Sequence, residues 1–323
     1  MYKLNPLKLT AVCKDYIWGG TRLITEYNQK TKAEKAAESW ELSCHPDGPS
    51  TVCGGEYGGL ALPEYIEKAG KSVLGTDCEK FPYFPILIKL IDAKNDLSIQ
   101  VHPNNDYAKT HGGGFGKTEM WYIIDCKPGA FLYYGFNRNI SKEEFKSRIE
   151  NGTLLEMLNK AYVHKGDVFF ISSGTLHAIG EGILLAEIQQ NSNLTYRIYD
   201  YGRLGTDGKP RQLHIENAVD VTKLTPPERP AESQGKVEIF TGYSRIFLSS
   251  CEYFTVYDMK INNVKMDADE KSFHSIVCIN GSGKLLYGES KSMAFQKGDS
   301  IFVPAGTGKY SINGSCEIIF TTV

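Results

Sequence analysis

The chain has 323 residues, 41% of them hydrophobic and 23% charged, which is enough for two domains of ordinary globular composition. A formal net charge of −2 provides no global field for nucleic acid or an anionic membrane, so an anionic ligand has to be met by a few local Arg and Lys side chains. The 8 cysteines (Cys13, Cys44, Cys53, Cys78, Cys126, Cys251, Cys278 and Cys316) form no C-x-x-C pair, the first 20 residues lack the apolar core of a signal peptide, and no apolar run reaches membrane-spanning length; a cytoplasmic protein with no cysteine-based zinc site and no membrane partner is expected.

Residues 1–60 read as short strands and turns. Residues 38–43 (ESWELS) alternate polar and apolar, a strand signal, and HPDGPS at 45–50 is a turn cluster that makes His45 a loop histidine. Residues 62–68 predict a short helix with Pro63 in its first turn, and 84–91 (FPILIKLI) a buried strand. The stretch 97–122 organises the rest. Strand alternation puts Ser98, Gln100 and His102 on one face, and likewise Lys117, Glu119 and Trp121, with a Gly-rich loop between them holding Asn104, Asn105 and residues 112–114. Such polar faces are costly to bury unless they serve a site, and Gln, His, Glu and Lys together suggest a metal with a charged group beside it.

A turn at 127–129 predicts a hairpin. Residues 141–160 then change character: Ser141 with Glu144 reads as a capping box, and the apolar spacing predicts two short helices inserted in a β domain. Strands return at 168–171, 184–190 and 194–199. Glu187 shares a face with Gln189, and Arg197 with Thr195 and Tyr199. His111 and His164 read as loop histidines. The Pro-rich run 225–235 predicts a linker, followed by short strands to the end of the sequence.

An internal repeat sharpens the fold class. KGDVFFISSGTLH at 165–177 matches KGDSIFVPAGTGK at 297–309, at a constant offset of 132 residues. The repeated turn-strand-turn unit predicts two related β domains, 1–228 and 229–323, and the spacing G-x5-P-x-G-x2-H resembles the second motif of the cupin superfamily. Ser172 takes the Pro position in the first copy and His177 is kept; in the second copy Pro304 is kept and Lys309 replaces the His. The fold expected is mainly β: two tandem cupin-type jelly rolls with a small helical insertion. A metal is expected in the first only, and His274 in the second reads as a packing or surface residue.

The first cupin motif usually offers two His one residue apart and then a Glu. Here Gln100 and His102 fill the pair and Glu119 follows the Gly-rich insertion, so that with His177 the donor set is two imidazoles, one carboxylate and an amide oxygen. That set suits zinc, but the same His, Glu, His trio also fits the facial triad of a non-haem iron oxygenase.

At YIWGGTRL (16–23), ESWELSCHPDGPS (38–50), LSIQVHPNN (97–105), GKTEMWYI (116–123), GTLHAI (174–179) and AEIQQNSNLTYRIYDYGR (186–203) the chain resembles the type I phosphomannose isomerases in their short bacterial form, over nearly its whole length. The resemblance implies a zinc-dependent aldose–ketose isomerase that interconverts mannose 6-phosphate and fructose 6-phosphate through a cis-enediol. It places the zinc ligands on Gln100, His102, Glu119 and His177 and the active-site arginine on Arg197. It also makes Glu187 and Lys117 candidate proton carriers. Longer members carry a lysine shortly after that arginine, where Arg203 stands here; Ser98, Lys117 and Arg203 are the expected phosphate contacts. The expected partner is a small phosphorylated sugar, with no obligate protein partner evident. A non-enzymatic sugar-binding cupin and an isomerase for another phosphorylated sugar remain open beside the oxygenase.

Overall fold

The structure, a computed structural model, describes residues 4–111, 114–205, 207–227 and 235–323. Most of the expected linker, the expected domain boundary at 228/229 and residues 112–113 of the Gly-rich loop lie outside the described residues.

The fold is mainly β, in three antiparallel sheets. A six-stranded sheet sits in the middle, in the order Val168–Ile171, Glu119–Cys126, Ile183–Gln190, Ile86–Ala93, Glu38–Leu42, Val12–Lys14. Both its faces are covered, which is why Ile86–Ala93 and Ile183–Gln190 are buried at every position. Alternation divides each strand between two cores. Ile86, Ile88, Leu90, Met120, Tyr122, Leu184, Ala186 and Ile188 join one core with Phe254, Phe273, Val277 and Phe302 from the C-terminal part. Ile91, Ala93, Trp121, Ile123, Ile183 and Leu185 face the other way, into a second core with Leu132, Tyr134 and Ile179.

That second core lies against a five-stranded sheet, in the order Tyr196–Tyr199, Ile99–Val101, His177–Ile179, Phe131–Phe136, Leu158–Tyr162. The opposite side of this sheet packs Ile99, Val101 and Tyr133 with Phe145 and Ala218, from the helices Lys142–Glu150 and Ile215–Val221. The Ser141 hydroxyl accepts from the Glu144 N–H at 3.1 Å, as expected of a cap, while the Glu144 carboxylate turns instead to Arg138 at 2.6 Å. The second expected helix is a single 3₁₀ turn, Leu154–Met157, running into the strand Leu158–Tyr162, because pairing with Phe131–Phe136 satisfies that backbone. In the loop expected between the two site strands stands a helix, Asn105–His111, capped by the Asn104 side chain accepting from the Tyr107 N–H at 2.9 Å.

The remaining strands form a nine-stranded sheet. The short strands expected in the C-terminal part are long ones: Thr255–Ala268, His274–Tyr287 and Gly308–Thr322. The N-terminal strand Leu7–Thr10 joins this sheet by pairing with Ser300–Val303, so the two halves share a sheet as well as a core. The sequence repeat is a structural one. In the first copy Asp167 Oδ2 accepts from the His164 N–H at 2.7 Å; in the second Asp299 Oδ2 accepts from the Gln296 N–H at 2.8 Å, again three residues back. Gly166 and Gly298 turn into the following strand with φ of 94° and 91°.

Candidate metal centre

Two cross-strand rows bring the polar residues together. On the five-stranded sheet Gln100 stands opposite His177 on one side and Arg197 on the other. On the six-stranded sheet Glu187 stands between Trp121 and Lys89, and Lys89 lies opposite Trp40. The two rows face each other across the inner core.

His102, Glu119 and His177 form the cluster, each at most 1% exposed, with their donor atoms all within 4.8 Å of one another. Glu119 Oε1 lies 3.5 Å from His177 Nε2, and Oε2 lies 3.7 Å from His102 Nε2. Each imidazole is oriented by a backbone carbonyl: His177 Nδ1 sits 2.8 Å from the Thr175 oxygen and His102 Nδ1 3.0 Å from the Leu194 oxygen. A proton on each Nδ1 leaves the Nε2 lone pair pointing into the cluster, the arrangement that readies histidine for a metal. Glu119 Oε1 and His177 Nε2 are buried without hydrogen-bond partners. Two orphaned acceptors aimed at one point are a costly arrangement that a cation would relieve, so the donor set fits a metal. Burial pushes His177 down to about 4, and burial with the neighbouring Lys117 pushes His102 well below its ordinary value, so both rings are neutral donors at pH 7.

A charged network adjoins the cluster. Lys117 Nζ contacts the Glu119 carboxylate, lies 3.1 Å from His102 Nε2 and 3.6 Å from Glu187 Oε1. Lys89 Nζ is 3.1 Å from the same Glu187 oxygen and 3.5 Å from Glu38. Trp121 Nε1 donates to Glu187 Oε2 at 2.9 Å, and Trp40 Nε1 to Glu38 Oε2 at 2.7 Å. Burial alone would raise the Glu187 carboxyl, but Lys117, Lys89 and the indole N–H outweigh it and hold Glu187 well below the usual carboxylate range. Glu119 moves the other way, raised by burial and by the charge on Glu187. Beside these groups opens a cavity of about 270 Å³, whose wall includes Ser98, Gln100, Lys117, Glu187, Arg197 and Arg211.

Comparison with known proteins gives the family. Residues 6–122 match the family model "Phosphomannose isomerase type I, catalytic domain", and residues 244–323 match "Mannose-6-phosphate isomerase, cupin domain". The mannose-6-phosphate isomerase ManA of Bacillus subtilis is 38% identical over 317 residues, covering 98% of each chain. The chain belongs to the type I phosphomannose isomerase family. The mannose-6-phosphate isomerase of Streptococcus mutans is also 38% identical, over 98% of this chain and 97% of its own. A crystal structure of the mannose 6-phosphate isomerase from Bacillus subtilis superposes with a TM-score of 0.91 at 39% identity, covering 98% of this chain and 99% of that one.

Of the residues singled out in the sequence, this member of the phosphomannose isomerases brings His102, Glu119 and His177 into one cluster. Gln100, Ser98, Lys117, Glu187 and Arg197 stand on the cavity wall. Arg203 is not among the wall residues; it donates to Asp200 Oδ1 at 2.6 Å and to the Asp96 carbonyl oxygen. Sequence reasoning missed Glu38, Lys89 and Arg211. Lys89 had a visible signal, a lone cation inside the apolar run 84–91, and Glu38 lies two residues from Trp40 in an alternating strand. His274 is a packing residue, its Nδ1 2.8 Å from the Tyr310 hydroxyl.

Proposed function

We propose that the chain interconverts mannose 6-phosphate and fructose 6-phosphate, with one zinc ion held by Gln100, His102, Glu119 and His177. The observation that carries this reading is the buried His102–Glu119–His177 cluster in direct contact with the Lys117–Glu187 pair on the cavity wall. When bound, the metal supplies a Lewis-acid centre for a sugar oxygen. The Lys117–Glu187 pair carries the proton between C1 and C2, through a cis-enediol, with Lys89 and Trp121 keeping Glu187 in place. Arg197, permanently charged and hydrogen-bonded through Nε to Ser98 Oγ at 3.3 Å, orients the sugar and stabilises the enediolate oxygen. An iron oxygenase would use the same three metal donors but has no role for Lys89, Lys117, Glu187 and Arg197 beside them.

The test is turnover of mannose 6-phosphate in the protein as isolated, after chelation, and after zinc is restored. Activity lost to the chelator and recovered with zinc is the expected result, with exchange of the C2 proton into solvent. A zinc-loaded protein that binds the sugar phosphate without that exchange would be a binding protein instead.

A further inference from the structure

The charged groups around Arg197 and Arg211 on the cavity wall are unevenly matched. Three guanidiniums, of Arg197, Arg203 and Arg211, gather near one carboxylate, that of Asp200. Arg203 and Arg211 both hold Asp200: Arg203 through Oδ1, Arg211 by a fork in which Nε donates to Oδ2 at 2.7 Å. Arg197 has no carboxylate partner among the described residues; its guanidinium donates to Ser98 Oγ and to the Gln212 carbonyl oxygen at 3.0 Å.

The segment that carries Arg211 is knitted to Arg197. The Gln212 carbonyl receives the Arg197 guanidinium, the His214 N–H donates to the Arg197 carbonyl at 2.7 Å, and the Arg197 N–H donates to His214 Nδ1 at 3.2 Å. Arg197 and Arg211 thus lie close on one wall, beside Ser98, and burial first, then the charge of Arg211, disfavour the positive charge on Arg197. Holding like charges together costs free energy that a dianion between them would return. Arg203 is absent from that wall and spends its donors on Asp200 and the Asp96 carbonyl.

Building on the isomerase reading above, we infer that Arg211, paired with Arg197, receives the phosphate of the sugar substrate, and that Arg203 is a positioning residue that braces Asp200 behind them. The planar fork of an arginine matches two phosphate oxygens, and Asp200 fixes the Arg211 side chain before substrate arrives.

The experiment is steady-state kinetics on mannose 6-phosphate, with inorganic phosphate as competitive inhibitor, for the wild type and for Arg211→Ala, Arg211→Lys and Arg203→Lys. Loss of the charge-assisted bonds from Arg211 is expected to raise KM and the phosphate inhibition constant together, roughly 10- to 100-fold in Arg211→Ala. A smaller rise in the same direction is expected in Arg211→Lys, with kcat moving less in both. Arg203→Lys is expected to lower the thermal midpoint and leave both constants within about threefold of wild type. A purely structural role for Arg211 would reduce the amount of active enzyme, hence apparent kcat, and spare both constants; that outcome overturns the inference, as does a larger rise in Arg203→Lys than in the Arg211 variants. A wild-type protein that never turns over mannose 6-phosphate defeats the isomerase reading itself, a result distinct from normal constants in the Arg211 variants.

Discussion

The first copy of the repeated unit delivers His177 into a buried cluster between two sheets, whereas the second delivers Lys309 to an exposed position opposite Asp267. The turns leading in are nearly superposable in kind, with the same Asp cap and the same left-handed glycine. The interiors differ. The second copy's strands enclose Met259, Ile261, Ile276, Cys278, Leu285, Phe295, Ile312 and Ile318, an apolar core with the stability that apolar burial brings. The first copy leaves Glu119 Oε1 and His177 Nε2 buried without hydrogen-bond partners. One scaffold therefore serves two ends: in one half its interior is an apolar core, and in the other it gathers buried imidazoles and a carboxylate into one cluster.

The largest break in that comparison comes from making the first interior resemble the second. Glu119→Gln removes the one anionic donor of the cluster. Metal content should fall well below one ion per chain and turnover by roughly 1000-fold or more, since metal charge stabilisation amounts to several kcal/mol. Arg197→Ala sits on the same cavity wall without touching the cluster donors, so it should keep its metal while losing about 100- to 1000-fold in kcat. Elemental analysis beside the rate assay separates the two, and an Arg197→Ala enzyme with full turnover would remove that residue from the mechanism.

A second contrast lies in two buried histidines. Burial drives both His177 and His274 down to about 4. His177 offers a free Nε2 to the cluster, whereas His274 sits in the second half against Tyr310 and Phe320, with Asp269 and Asp267 opposing the effect of burial. The unfolded chain protonates a histidine near 6.5. His274 neutral in the fold thus contributes stability above about pH 6.5 that is lost as pH falls through about 4, roughly 3 kcal/mol in all. His274→Gln should flatten the stability profile between pH 6.5 and 4, as read by denaturant unfolding at each pH. An unchanged slope would mean that the ring is already charged in the fold.

How far the sequence carried this reading depends on whether the partners were near in the chain. The grouping of His102, Glu119 and His177 was legible because strand alternation and the repeat each work over a few residues. Lys89 and Glu38 were not, because Lys89 is marked by its cross-strand pairing with Glu187, nearly a hundred residues further on, and Glu38 by its ion pair with Lys89. Arg211 follows an irregular loop whose approach to Arg197 rests on the His214 backbone pairing, and nothing in the local pattern encodes that. The long C-terminal strands escaped for a different reason. Thr255–Ala268 carries exposed polar residues at successive positions such as Asn262 and Asn263, where a register shift breaks the alternation. The pairing of Leu7–Thr10 with Ser300–Val303 spans almost the whole chain, beyond any periodicity argument.

The finest test of the two copies lies in their matched glycines. A Cβ added at Gly166 meets nothing within 4 Å, so Gly166→Ala carries only the strain of a left-handed backbone, about 1–2 kcal/mol. The same change at Gly298 carries that strain and also places the new carbon 1.8 Å from the Tyr27 carbonyl oxygen, which is backbone and cannot swing aside. That close approach is part of how the second half docks on the first: Gln29 Nε2 donates to the Gly298 oxygen at 2.7 Å and to Glu41 Oε1 at 3.1 Å, and Ser300 Oγ donates to the Glu41 carbonyl at 2.9 Å. Overpacking there should add about 1–3 kcal/mol to the strain. Denaturant unfolding of both variants should therefore show Gly298→Ala as the less stable by that margin. Equal losses would mean that the second copy's turn is free of the first half, and that the glycine is kept at both places for its backbone angle alone.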